Sequence, residues 1–168
     1  MGKTEEITAC IPRLRRYARA LTGNRDSADD LVQDTLERAW SRFHLWRHGS
    51  DLRAWLFTIM HNLFINHTRR RNRESEIPPE DKVSGIPLNP PLDALVELKQ
   101  LDKALRHLPD EQREVVLLVG LEQMSYHEVA RVLGIPVGTV MSRLSRGRER
   151  LRNLIDGKVG GSQLKVVK

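Results

Sequence analysis

The chain has 168 residues, enough for one domain or two small ones with modest apolar cores, and its formal charge of +6 suits a polyanionic partner. Cys10 is the only cysteine, so no internal disulfide can form, and with only Arg13 nearby to activate it the thiol is expected to be inert. No apolar run of about 18 residues could span a membrane, and the polar N-terminus lacks a secretory segment, which makes a reducing cytoplasm the expected compartment.

In chain order, Pro12 is predicted to open a helix in which Leu14, Tyr17, Ala18 and Leu21 share a face, with Gly23 ending it. Asp26 or Ser27 can cap the next. That helix is expected to turn Leu31, Val32, Thr35, Leu36, Ala39 and Trp40 inward, leaving an outer face of Asp30, Gln33, Asp34, Glu37 and Arg38. After Phe43, Gly49 and Ser50 signal a loop. A third helix should run from about Asp51 into the basic cluster Arg69, Arg70, Arg71 and Arg73, on a buried stripe of Trp55, Leu56, Ile59, Leu63 and Phe64. From Arg73 to Pro91 five prolines, with Ser84 and Gly85, leave no periodic face, so a flexible linker is expected. Helical periodicity resumes at Leu92, Leu95, Leu98, Leu101 and Leu105, and Pro109 opens a further helix with Asp110 and Glu111 at its positive end.

The stretch from Met124 to Arg152 carries the most information. Ser125 and Glu128 form a capping box, Val129, Ala130 and Leu133 fall on one face, and Gly134 provides a tight turn. Pro136 can sit in the first turn of a second helix whose Val140 and Leu144 return to the same core. This is a helix-turn-helix. Its outward Thr139, Ser142, Arg143, Arg146 and Arg148 are the donors that major-groove edges and flanking phosphates require. The expected fold is therefore all-α: two small helical domains, 1–73 and 93–156, joined by a flexible Pro-rich linker over 74–92, with a loose tail over 157–168.

His44, His48, His61 and His67 come with no thiol cluster or H-E-x-x-H spacing, so no metal and no cofactor is expected. Without a Gly-rich phosphate loop, a catalytic triad or a paired-carboxylate pocket, an enzyme is not expected either.

The blocks A-D-D-L-V-Q-D-T-L-E-R-A-W, L-R-A-W-L-F-T-I-M-H-N and L-P-D-E-Q-R-E-V-V-L-L through R-L-S-R-G-R-E-R-L closely resemble, in order and spacing, the extracytoplasmic-function sigma factors, initiation subunits of bacterial RNA polymerase. The resemblance implies that Asp30, Gln33, Asp34 and Glu37 grip the clamp helices of core RNA polymerase. It further implies that Trp46 and Arg47 flank a pocket for a base flipped from the -10 element, that Asn62 pairs with a base edge there, and that Arg69, Arg70 and Arg71 hold phosphates. Trp55, on the apolar stripe, is read as core. Thr139, Ser142, Arg143, Arg146 and Arg148 would face the -35 element. Met141 stands where many relatives place a basic residue, and Ser145 where some carry an aromatic one, so promoter sequence is not legible. The linker either threads the polymerase interior or merely tethers. Promoter DNA, core polymerase and a cognate anti-sigma factor are the implied partners. The rival readings are a sigma-like decoy that sequesters an anti-sigma factor and a stand-alone helix-turn-helix regulator.

Overall fold

The computed structural model describes residues 2–74 and 92–164. Among them every regular element is helical: α1 (Lys3–Thr22), α2 (Arg25–Ser41), a short 3-10 turn at Phe43–Leu45, α3 (Leu52–Glu74), α4 (Leu92–Arg106), α5 (Asp110–Gly120), α6 (Tyr126–Leu133) and α7 (Val137–Leu164). The Pro-rich segment between α3 and α4 lies outside the described residues.

Helix α1 starts nine residues before the proline expected to open it, and Pro12 sits inside. A mid-helix proline costs about 3 kcal/mol. The apolar face nevertheless continues across it, from Ile7 through Leu14, Tyr17, Ala18 and Leu21, all buried. Sinking Ile7 alone contributes about 2 kcal/mol, so the cost of the proline is largely met by the turn that precedes it. Gly23 ends α1 in the left-handed region, at φ 70°, as its position predicts. The cap of α2 is Asn24 rather than Asp26 or Ser27: its carboxamide oxygen accepts from the backbone N–H groups of those two residues at 2.9 and 3.3 Å. The Gly23 turn leaves Asn24 extended, which is the backbone a cap requires.

The inward face of α2 is Ala28, Leu31, Val32, Thr35 and Ala39, with Leu36 partly buried. Trp40 was expected inside and is not. It is 52% exposed, because Ala39 occupies the last inward position and Trp40 lies one residue, about 100°, around the helix. Helix α3 begins under Asp51, whose carboxylate accepts from the N–H groups of Arg53 and Ala54. It buries Leu56, Phe57, Ile59, Met60, Leu63 and Phe64, a wider band than its predicted stripe, because α2 covers one side and α6 another. Trp55 is partly buried against the core.

In the second half the capping box forms as written, with Glu128 N–H donating to Ser125 Oγ at 3.1 Å and Ser125 N–H to Glu128 Oε2 at 3.3 Å. Gly134 turns the chain at φ 66°. Val129, Val132 and Leu133 of α6 meet Val140 and Leu144 of α7 in the core. The backbone of α7 stays helical to Leu164, beyond the Gly157 at which a loose tail was expected. Once a helix is nucleated each added residue gains a hydrogen bond, and glycine weakens that gain by only about 1 kcal/mol. Buried apolar side chains of both halves form one contiguous cluster, from Leu14 to Leu151.

Candidate nucleic-acid and polymerase interfaces

Three regions hold the residues singled out by sequence, and a fourth holds residues that sequence did not single out. On α2, Asp30, Gln33 and Glu37 are exposed, with Gln33 Nε2 donating to Glu37 Oε1 at 3.4 Å. Asp34 is less available than the others: its Oδ2 lies 3.0 Å from His67 Nε2 of α3. Of the four residues expected to dock, Asp30, Gln33 and Glu37 are thus the most open, and Asp26 and Asp29 of the same helix are exposed as well.

Around the 3-10 turn, Trp46 is half-buried. Its ring packs on Phe43, centroids 5.2 Å apart, and meets His48 edge-on at 4.9 Å. Phe43 in turn meets Trp55 at 6.3 Å and carries Lys3 Nζ 4.4 Å above its ring. The indole N–H of Trp46 is buried without an acceptor. Arg47 is exposed. Asn62 is exposed on α3, and among the described residues no hydrogen bond joins it to Trp46. Arg69, Arg70 and Arg71 are exposed along the last turns of α3, Arg71 donating to Ser27 Oγ at 2.9 Å.

On α7 the buried line Val140, Leu144, Gly147 and Leu151 fixes which residues face out. At about 100° per residue, Ser142 and Glu149 point directly away from it, with Ser145 and Arg146 about 50° to either side. Arg146 and Arg148, two residues apart, lie on opposite flanks of that ridge. Arg146 lines a groove with Gln112 and Asn153, whereas Arg148 lines another with Tyr126, Met141, Ser145 and Arg152. Thr139 accepts on its carbonyl from Ser142 Oγ at 3.1 Å. Arg143 lies nearer the core and reaches Glu111 of α5 at 3.6 Å, so it is partly engaged inside its own half.

The fourth region is a polar seam between the halves that sequence reasoning missed. Arg113 is 8% exposed, and its guanidinium donates to the carbonyls of Leu105, Arg106 and Leu108, to that of Leu21 at the end of α1, and to Asp110. Burial pulls its pKa down from the ordinary arginine value, and Asp110 opposes that. Arg106 reaches the Arg19, Ala20 and Leu21 carbonyls at 3.3 to 3.5 Å. The Ala20 and Leu21 carbonyls are among the acceptors that a helix C-terminus leaves over, while that of Arg19 also takes the Gly23 N–H, and two cations are favourable there. A Cβ on Gly23 would fall within 1.8 to 2.1 Å of the Arg106 guanidinium. His61 Nδ1 lies 2.8 Å from Glu114 Oε1; burial pushes the Glu114 carboxyl above the usual range, and the His61 hydrogen bond pulls the other way. Arg16 pairs with Glu122 at 3.3 Å, and Arg53 donates to the Glu122 carbonyl at 3.1 Å and lies 3.6 Å from Glu128. Arg113 did leave a trace in the sequence, since it stands four residues before Leu117, on the inward stripe of α5. Nothing local marked His61 or Glu122.

Residues 7–61 match the family model described as the Sigma2 domain of PhyR, and residues 98–151 match Sigma-70, region 4. The chain is 42% identical over 151 residues to the ECF RNA polymerase sigma factor EcfG of Rhodopseudomonas palustris, covering 90% of this chain and 83% of that one. The chain belongs to the extracytoplasmic-function (ECF) sigma factors. Among this family it is also 31% identical to SigM of Bacillus subtilis, covering 83% of this chain and 86% of that protein. The sigma factor RpoE in complex with the anti-sigma factor NepR from Bartonella quintana is similar at a TM-score of 0.78 and 36% identity, over 91% of this chain and 96% of that one. CnrH in complex with the cytosolic domain of CnrY follows at 0.67 and 28%, over 92% and 87%. As a sigma factor the chain is a subunit of transcription initiation. No helix among its described residues is long and apolar enough to cross a membrane.

Proposed function

We propose that the chain directs core RNA polymerase to promoters by binding and strand separation, with no chemistry of its own. In this reading residues 1–73 dock on core polymerase through Asp30, Gln33, Asp34 and Glu37 and engage the -10 element, while residues 93–156 read the -35 duplex. The observation that carries it is a helix-turn-helix whose second helix presents Ser142 outward between Arg146 and Arg148. A ridge of small polar residues can enter a major groove while the two arginines reach the phosphates on either side.

Strand opening is assigned to the loop after α2. Stacking, cationic and amide groups at Trp46, Arg47 and Asn62 suit an extruded base, with Arg69, Arg70 and Arg71 as phosphate anchors. Because Phe43 and His48 already flank the Trp46 ring, a base has only the remaining surface of the indole to stack on. The similarity to sigma factors captured with anti-sigma factors supports an anti-sigma factor as third partner, acting in the cytoplasm where polymerase is.

A decoy is the second reading, because the matching model for residues 7–61 is that of PhyR, and the Bartonella quintana PhyR is described as an anti-anti-sigma factor. The exposed arginines of α3 and α7 favour promoter binding over it. Run-off transcription with added core polymerase tests the choice. A promoter-dependent transcript is the expected result. Capture of an anti-sigma factor with no transcript would establish the decoy, and duplex binding that ignores polymerase would establish a stand-alone regulator.

A further inference from the structure

Among the described residues five large hydrophobic side chains are exposed, and two of them, Tyr126 at 36% and Met141 at 49%, line the same groove between α6 and α7. Neither packs into the core cluster of the described residues. Single exposed apolar side chains are ordinary on a protein surface, but a pair sharing one groove beside a DNA-reading helix calls for a partner. Met141 is the fifth residue of α7, which begins at Val137. Arg148 and Arg152 line the groove seven and eleven residues further on, about 10 and 16 Å along the axis at 1.5 Å per residue. This flank therefore carries an apolar group at the helix end that meets base edges and cations toward the end that passes the backbone.

A helix about 10 to 12 Å across nearly fills a major groove ~12 Å wide, so residues beside the outward Ser142 also face the base edges. Met141 is the chain neighbour of Ser142, and methionine has no N–H or O–H with which to read a base by hydrogen bonding. The Ser142 hydroxyl donates to the Thr139 carbonyl at 3.1 Å, so its one proton is spent inside α7. Of the groups that bases present in the major groove, only the C5 methyl of thymine is apolar. We propose, resting on the -35 assignment above, that Met141 is a specificity-determining residue that reads a thymine methyl in the -35 duplex, with Tyr126 as the wall that holds its flexible side chain in place. Contact between the thioether and the methyl removes apolar surface from water on both partners, and a base without that methyl leaves Met141 wet. The contact adds base discrimination to arginines that, on phosphates, would hold any sequence alike.

The test uses the full chain together with core polymerase. Duplexes are enriched from a library randomised across the upstream element, and each thymine there is then replaced singly by deoxyuridine, which removes only the methyl. The wild type should lose about fourfold in affinity at one thymine, the value of about one buried methyl-sized group. Met141→Ala should bind the parent duplex more weakly by a similar factor and be indifferent to that replacement. Met141→Leu should keep most of the discrimination, and Tyr126→Ala should lower it in part. Both positions are exposed, so circular dichroism of the variants should be unchanged. Absence of methyl dependence at every thymine, or a dependence that persists in Met141→Ala, would overturn the proposal. So would a Met141→Ala chain that keeps the discrimination but loses co-purification with core polymerase, because the groove would then be a protein contact. Failure of the -35 reading shows separately: no upstream sequence is enriched at all, and the proposal falls with it.

Discussion

Arg113 illustrates how one side chain can serve both halves of the molecule. Its guanidinium spends its donors on three carbonyls of the α4–α5 turn, on the Leu21 carbonyl and on Asp110. Alanine there would strand several buried acceptors, each costing about 1 kcal/mol or more. We expect Arg113→Ala to destabilise the chain by roughly 3 kcal/mol in urea unfolding. Arg113→Lys should recover less than half, because an ammonium cannot reproduce a planar fork aimed at several carbonyls. Full recovery by lysine would mean that charge alone matters at this position. Gly147 makes a comparable point by absence: a Cβ there would lie 2.7 Å from Val116 Cγ2, so α7 can approach α5 closely only because position 147 has no side chain.

Among the elements, α7 shows why a list of arginines is not yet a binding site. Arg143, Arg146 and Arg148 read alike in the sequence, but the helix sends them in three directions: to Glu111, to the groove beside Gln112, and to the groove beside Tyr126. Arg146→Ala and Arg148→Ala should therefore weaken duplex binding independently, with double-mutant effects additive within about 0.5 kcal/mol. If each holds a phosphate, each loss should be the same on every sequence and should lower the salt slope by about one; a base-edge contact would instead cost about 1 to 3 kcal/mol on one sequence only. Competition binding against randomised duplexes, repeated over a salt series, separates these outcomes. No effect of either substitution on any duplex would remove α7 from the recognition role.

For the whole molecule, what matters is which surfaces remain free when the halves meet. The α2 face is one of them, and among the carboxylates assigned to docking Asp30 and Glu37 are the available ones, since Asp34 is held by His67. Replacing both with lysine should abolish co-purification with core polymerase while circular dichroism stays unchanged, and adding Asp34→Lys should matter less. Undiminished binding by the folded double variant would take this helix out of the docking role. Most helices and the helix-turn-helix were legible because they rest on local physics: apolar spacing at three and four, Gly23 and Gly134 at turns, and Ser125 with Glu128 at a helix start. Where local signals misled, a longer apolar face or a neighbouring helix prevailed, as with Pro12 inside α1, Asn24 as the cap of α2, and Trp40 on the surface. The seam could not be read in this way. Arg106, Arg113, Glu114 and Glu122 find partners more than 50 residues away, across a segment whose composition says only that it is extended. Periodicity in a sequence tells which face of a helix is buried but not what buries it, so the elements and the family were determined locally, whereas the pairing of the two halves was decided only by tertiary packing.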